Sequence, residues 1–117
     1  MNDLVDRIAP IDGVIAIILF GSVAKGLADE YSDVDVLILF RDKKTLWKGW
    51  DSVFDAIGPM KLDIHAIPET LEEFRNANPV FFDEVNKNGI VLYSSCMKKT
   101  EYRAASNIVL KSINLLE

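Results

Sequence analysis

Residues 14–40 decide the fold: VIAIILF at 14–20, GSVAKGLADEYSD at 21–33 and VDVLILF at 34–40. The two outer runs are continuous aliphatic and β-branched stretches, the pattern of strands covered on both faces. Between them Gly21, Ser22 and Gly26 break the chain. Asp35 is the only charge in the second run and stands near its start.

Outward from this pair, the pattern alternates. Upstream, residues 3–9 read as a short helix with Leu4, Val5 and Ile8 on one side, stopped by Pro10, and Asp12-Gly13 signals a turn. Downstream, Leu46, Trp47, Trp50, Val53, Phe54 and Ile57 recur at three- and four-residue spacing and predict a helix over 44–57. Gly49 weakens it a little, Gly58 caps it and Pro59 prevents continuation. Residues 60–67 (MKLDIHAI) alternate, with Leu62, Ile64 and Ala66 on one face and Asp63 and His65 on the other, as in a third strand. Pro68-Glu69 is expected to open a helix, and Asn78-Pro79 another that Gly89 closes. Residues 90–93 read as a fourth strand. Residues 100–115 carry a last helical stripe of Tyr102, Ala105, Val109, Ile113 and Leu116. Strands alternating with helices predict an α/β (α+β) architecture with a largely buried four-stranded sheet and helices packed on it. No repeat, low-complexity tract or linker marks a second domain, so residues 1–117 are expected to form one.

Composition bounds the function. A chain of 117 residues, half of them hydrophobic and 26% charged, is a globular domain rather than a disordered one. Thirteen basic against eighteen acidic residues leave a net charge of −5. That balance argues against an extended nucleic-acid surface, yet it allows a small nucleotide site bridged by metal. The single cysteine, Cys96, excludes an internal disulfide framework and a zinc site built from several cysteines. The longest apolar run, seven residues at 14–20, is too short to span a bilayer. No basic flank precedes an apolar stretch at the N-terminus, so the expectation is a cytoplasmic protein with no signal peptide and no membrane partner.

Three features stand out against this background. Ser32-Asp33-Val34-Asp35 lies at the mouth of a hydrophobic strand. In extended backbone Asp33 and Asp35 point to one face, about 7 Å apart. Two carboxylates there repel each other and lose solvation, and a divalent cation relieves both penalties. Magnesium is the expected ion, because it is hard, takes oxygen ligands and keeps water and phosphate in its shell. Asp63 is a further acid at a strand, and beside the second strand it would complete a two-ion site for phosphoryl transfer. Gly21-Ser22 directly follows the first strand. There the glycine allows a sharp turn and the serine offers a hydroxyl and an amide to a phosphate oxygen, above all if a helix begins there. Each feature has a blander reading: a turn, a cap, an edge aspartate facing solvent. Their order and spacing in combination are what separate them from it.

Gly21-Ser22-Val23-Ala24-Lys25-Gly26 followed by Ser32-Asp33-Val34-Asp35, with Asp63 inside Leu62-Asp63-Ile64, resembles the signature of the nucleotidyltransferase superfamily that includes DNA polymerase beta. The small stand-alone minimal nucleotidyltransferases are the more specific resemblance, and Asn88-Gly89-Ile90-Val91-Leu92-Tyr93 resembles the place where their domains close. The resemblance covers roughly residues 10–95 and implies a mixed four-stranded sheet. It also implies that Asp33 and Asp35 ligate Mg²⁺ carrying a nucleoside triphosphate, and that Asp63 completes the second ion site and orients or deprotonates the attacking hydroxyl. Gly21, Ser22 and Ser32 would lie at the triphosphate, with Lys25 assisting a phosphate. The implied activity is transfer of a nucleoside monophosphate, AMP from ATP, to a hydroxyl of a protein or other acceptor. A helical HEPN-type toxin is the implied partner. Residues 100–117 lie beyond the minimal core as a C-terminal helix and are expected to pack on the sheet or to build a homo-oligomer or partner interface. The alternative is a non-catalytic antitoxin or scaffold that keeps the fold and binds by surface alone.

Other residues weigh less. His65 shares the Asp63 face and would contact a nucleotide or the outer shell of a metal, or else is a plain, partly exposed strand histidine. Trp47 and Trp50 are expected in the core or at an interface. Glu69, Glu72 and Glu73 are expected to face solvent, Lys98 and Lys99 likewise, and Cys96 is expected to be an unreactive thiol.

Overall fold

The computed structural model of the chain describes residues 2–24, 34–59, 63–76 and 79–96. In chain order they form α1 (Asn2–Ile8), β1 (Val14–Phe20), α2 (Gly21–Ala24), β2 (Val34–Phe40), α3 (Lys43–Ile57), β3 (Ile64–Thr70), α4 (Leu71–Arg75), α5 (Pro79–Asn88) and β4 (Ile90–Ser94). The strands make one mixed sheet in the order β3-β2-β1-β4. β1 runs antiparallel to both β2 and β4, and β2 runs parallel to β3. A parallel pair cannot be joined by a tight hairpin, and α3 lies in the connection between β2 and β3.

Helices cover both faces, which is why the two central runs are apolar without alternation. Ile17 and Leu19 of β1, with Val34, Val36, Ile38 and Phe40 of β2, pack against Leu4 and Ile8 of α1 and Leu46 and Val53 of α3. Ala16, Ile18 and Phe20 of β1, with Leu37 and Leu39 of β2, pack against Phe74 of α4 and Val85 of α5. Val14 and Ala16 are two residues apart yet join opposite layers. The register slips between them, and a slip of one residue exchanges the faces.

Helix α3 starts on Asp42, whose carboxylate accepts from the Thr45 backbone N–H at 2.8 Å and from Thr45 Oγ1 at 2.9 Å. Those bonds, the backbone one first, hold the Asp42 carboxyl below its usual range. The face of α3 turned to the sheet is centred on Leu46, Gly49 and Val53. Gly49 is there for packing, since a Cβ would stand 2.8 Å from the Phe40 ring. This close approach corrects the expected stripe: Trp47 is 73% exposed and Phe54 56% exposed, both rotated out of the core, while Trp50 is half-buried against Phe54.

Two further expectations are corrected. The third strand, expected at 60–67, spans Ile64–Thr70 among the described residues (60–62 lie outside them), and it runs through Pro68-Glu69, where a helix was expected to open. Pro68 is tolerated because β3 pairs with β2 alone among the described strands. The Val34 N–H donates to the Asp63 carbonyl at 2.8 Å, so the odd-numbered residues of β3 bond inward and Pro68 faces outward, where no N–H is needed. Helix α4 instead starts after Thr70, in a capping box. The Glu73 N–H donates to Thr70 Oγ1 at 3.1 Å and the Thr70 N–H to Glu73 Oε1 at 3.0 Å. Glu69, expected in solvent, is half-buried with its Oε2 unpartnered. Burial first, then the neighbouring Glu73 charge, push its carboxyl above the usual range. Glu72 and Glu73 are exposed as expected, and Lys43 Nζ donates to Glu73 Oε2 at 2.8 Å. Cys96 is a free, exposed thiol. The final helical pattern at 100–115, with Lys98 and Lys99, lies outside the described residues. Among the described residues no helix is long and apolar enough to cross a membrane.

Candidate active site

β1 ends at Phe20, which is in register with Asp35 of β2, and Asp35 is in turn in register with His65 of β3. One end of the sheet therefore gathers the close of β1 and the starts of β2 and β3. Asp35 lies on the same side of β2 as Leu37 and Leu39, the side covered by α4 and α5.

At this end the chain reverses on Gly21, whose φ of +75° belongs to the left-handed region. The short helix α2 begins at that residue, where the sequence pattern had given a loop. A Cβ at this position would also meet Asp35 Oδ2, which would have to move. The other carboxylate oxygen, Oδ1, is 3.2 Å from His65 Nδ1. The Asp35 side chain is 26% exposed and that of His65 65%. The carboxylate thus stands part-withdrawn from water between a backbone turn and an imidazole ring.

Asp63 immediately precedes β3, is exposed, and its carbonyl already accepts from Val34, so the parallel pairing begins at its position. Of the other expected site residues, Lys25, Ser32 and Asp33 lie outside the described residues, and Ser22 is described in its backbone only. Among the described residues no three Asp, Glu, His or Cys side chains are grouped so as to hold a metal ion. Asp35 supplies one hard oxygen pair of the kind a divalent cation takes, partly withdrawn from water beside the turn.

Sequence reasoning named His65 near a nucleotide or the outer shell of a metal, but its pairing with Asp35 and the approach of Gly21 to Asp35 depend on strand register. It missed an apolar groove of about 450 Å³ opening off the same turn, lined by Phe20, Gly21, Val80, Phe81 and Glu84. Its floor is fixed by the edge-on contact of Phe20 with Phe81, 5.4 Å between centroids. The signal for it was the run Val80-Phe81-Phe82 after Asn78-Pro79, more apolar than one helix face needs. A slightly larger groove of about 490 Å³, lined by Arg41, Leu71, Glu72, Arg75 and Asn76, lies past the opposite ends of β2 and β3. It is remote from Asp35, so size alone does not mark the chemistry.

Comparison with known proteins places this geometry in a family. The family described as polymerase beta nucleotidyltransferase matches residues 2–98. A Methanocaldococcus jannaschii protein named "Putative protein adenylyltransferase MJ0141" is 34% identical over 79 residues, 68% of this chain and 79% of that protein. A second from the same organism, "Putative protein adenylyltransferase MJ1305", is 58% identical over 31 residues, which are 26% of this chain and only 21% of that protein. The fold is shared with a crystal structure of a toxin–antitoxin with AMP-PNP, at a TM-score of 0.56 and 19% identity over 97% of this chain and 84% of that one. The chain belongs to the polymerase beta nucleotidyltransferase family, an enzyme family, as the signature from Gly21 to Asp35 had implied.

Proposed function

We propose that this protein is a Mg²⁺-dependent nucleotidyltransferase that moves AMP from ATP to a hydroxyl of a protein acceptor, and that it acts in the cytoplasm as the antitoxin of a HEPN-type toxin. In this reading the chain acts as one domain, and residues 100–117, outside the described residues, would meet the partner or a second copy. Family membership supports the reaction type. The similar protein named as a protein adenylyltransferase supports the acceptor class, and the toxin–antitoxin of like fold supports the partner. The observation that carries the reading is Asp35 wedged against the Gly21 turn at the meeting point of three strand ends.

In this reading Asp33, Asp35 and Asp63 hold two divalent ions. When bound, the ions offset the charge of the triphosphate and of the oxygens that gain charge as the bond to pyrophosphate breaks. The chain's own residues do the rest. The turn at Gly21-Ser22, with Ser32 and Lys25, holds the triphosphate tail through amides, hydroxyls and one ammonium group. Asp63, at the exposed entrance of β3, orients the acceptor hydroxyl and takes its proton while the acceptor oxygen attacks the α-phosphorus. Pyrophosphate leaves on the opposite side. The apolar groove beside Gly21 gives a base or an acceptor side chain a dry wall of Phe20 and Phe81.

The test is transfer of label from α-labelled ATP to a co-expressed partner in the presence of Mg²⁺. Asp35→Asn should leave the fold in place and remove several kcal/mol of transition-state stabilisation, on the order of a hundredfold or more in rate. Unchanged transfer by that variant would refute the assignment. Neutralisation of the partner by the variant without label transfer would instead favour a binding-only antitoxin.

A further inference from the structure

We propose that His65 is a positioning residue whose Nδ1–H, donated to Asp35 Oδ1, sets the orientation in which Asp35 meets a divalent cation. The inference rests on the metal-dependent reading above and deepens it. An ionised carboxylate only accepts, so the 3.2 Å contact requires the hydrogen on Nδ1 of His65. The backbone puts the two residues within reach of each other: Asp35 and His65 are opposite in a parallel register that runs without a break from Val34↔Ile64 to Phe40↔Thr70.

On its other side the carboxylate lies close to the Gly21 turn, where an added Cβ would meet Oδ2. Asp35 is thereby bracketed, with one oxygen held by an imidazole and the other against a turn. An aspartate left free would spend part of its time in orientations that cannot ligate. Holding it beforehand transfers that ordering cost from the binding step to folding. The ring itself is 65% exposed, so it contributes little to the core, and its replacement reports on the site rather than on stability.

The experiment is a titration of the full-length protein with Mn²⁺, read by the loss of the free-ion electron paramagnetic resonance signal, without nucleotide. His65→Ala should weaken Mn²⁺ binding about tenfold, the scale of losing a hydrogen bond to a metal ligand. His65→Asn, whose side-chain amide can present an N–H near the place of Nδ1, should recover most of the loss. Thermal midpoints of the three proteins should coincide; if alanine lowers the midpoint, His65→Leu is read in its place. Equal affinity in wild type and His65→Ala would overturn the proposal. So would tighter binding in His65→Ala, which would make the ring a competitor for Oδ1, and so would an asparagine variant as weak as alanine. A wild type that binds no more Mn²⁺ than Asp35→Asn would remove the metal site itself, and the proposed function with it. A wild type that binds while His65→Ala is unchanged would remove only the role of His65.

Discussion

Strand β1 is flanked by two left-handed glycines, Gly13 at φ +89° and Gly21 at φ +75°. Each is crowded by a polar side chain from a neighbouring element: a Cβ at Gly13 would collide with Thr45, and one at Gly21 with Asp35. The local device is the same and the surroundings are opposite. At Gly13 the crowding side chain is already hydrogen-bonded. Thr45 is buried, its hydroxyl and amide both donate to Asp42, and the Gly13 carbonyl accepts from the Arg41 N–H at 2.8 Å. At Gly21 the crowding group is a carboxylate, part-open to solvent, with His65 at one oxygen. A closed cap holds the fold at one end of the strand, and the other end leaves a part-exposed carboxylate beside a turn. A tight glycine turn says nothing about function until the chemistry of the group pressed against it is known.

The comparison can be broken at either end. Gly13→Ala should be the most damaging to stability. The left-handed backbone costs about 1–2 kcal/mol and crowding against a buried, fully bonded threonine about as much again, together about 3 kcal/mol, read from the urea midpoint. Gly21→Ala should cost only the backbone part, about 1–2 kcal/mol, because the colliding group is the end of a side chain that can rotate away. That rotation takes Asp35 from its place, so the same variant should lose Mn²⁺ affinity and transfer out of proportion to its stability. If Gly13→Ala and Gly21→Ala lose stability equally and Gly21→Ala keeps Mn²⁺ affinity, the distinction between the two ends is wrong.

The smallest effect is at the Asp42 cap. Its folded carboxyl is lowered by its bonds to Thr45, so its contribution is present above the unfolded value of 3.8 and is lost as pH falls through the lower, folded value. Asp42→Asn should therefore show a shallower fall in stability on acidification below about pH 4 than wild type. An acid limb identical in the two proteins would show that the cap does not sense pH.

Much of this was legible from the residues. β1 and β2 announce themselves because a sheet covered on both faces needs no alternation, and Asn78-Pro79 and Gly89 mark the bounds of α5. Pro68 misled because proline opens helices more often than it sits in strands. Its tolerance in β3 comes from facing away from β2, and no local pattern reports which neighbour a strand has. Trp47 misled because a six-residue apolar stripe is wider than the face α3 buries, and the choice of face was made by Gly49 against Phe40.

The sequence alone determined the two central strands, α1, α3, α5 and the family, and singled out the candidate carboxylates, because periodicity, glycine-serine spacing and isolated acids in apolar runs are local properties of a chain. Only the tertiary structure decided that Asp35 faces His65 and the Gly21 turn, and that an apolar groove opens beside them. Those are matters of register and of which helix covers which face, and both are settled by long-range packing between segments that the chain order does not place side by side.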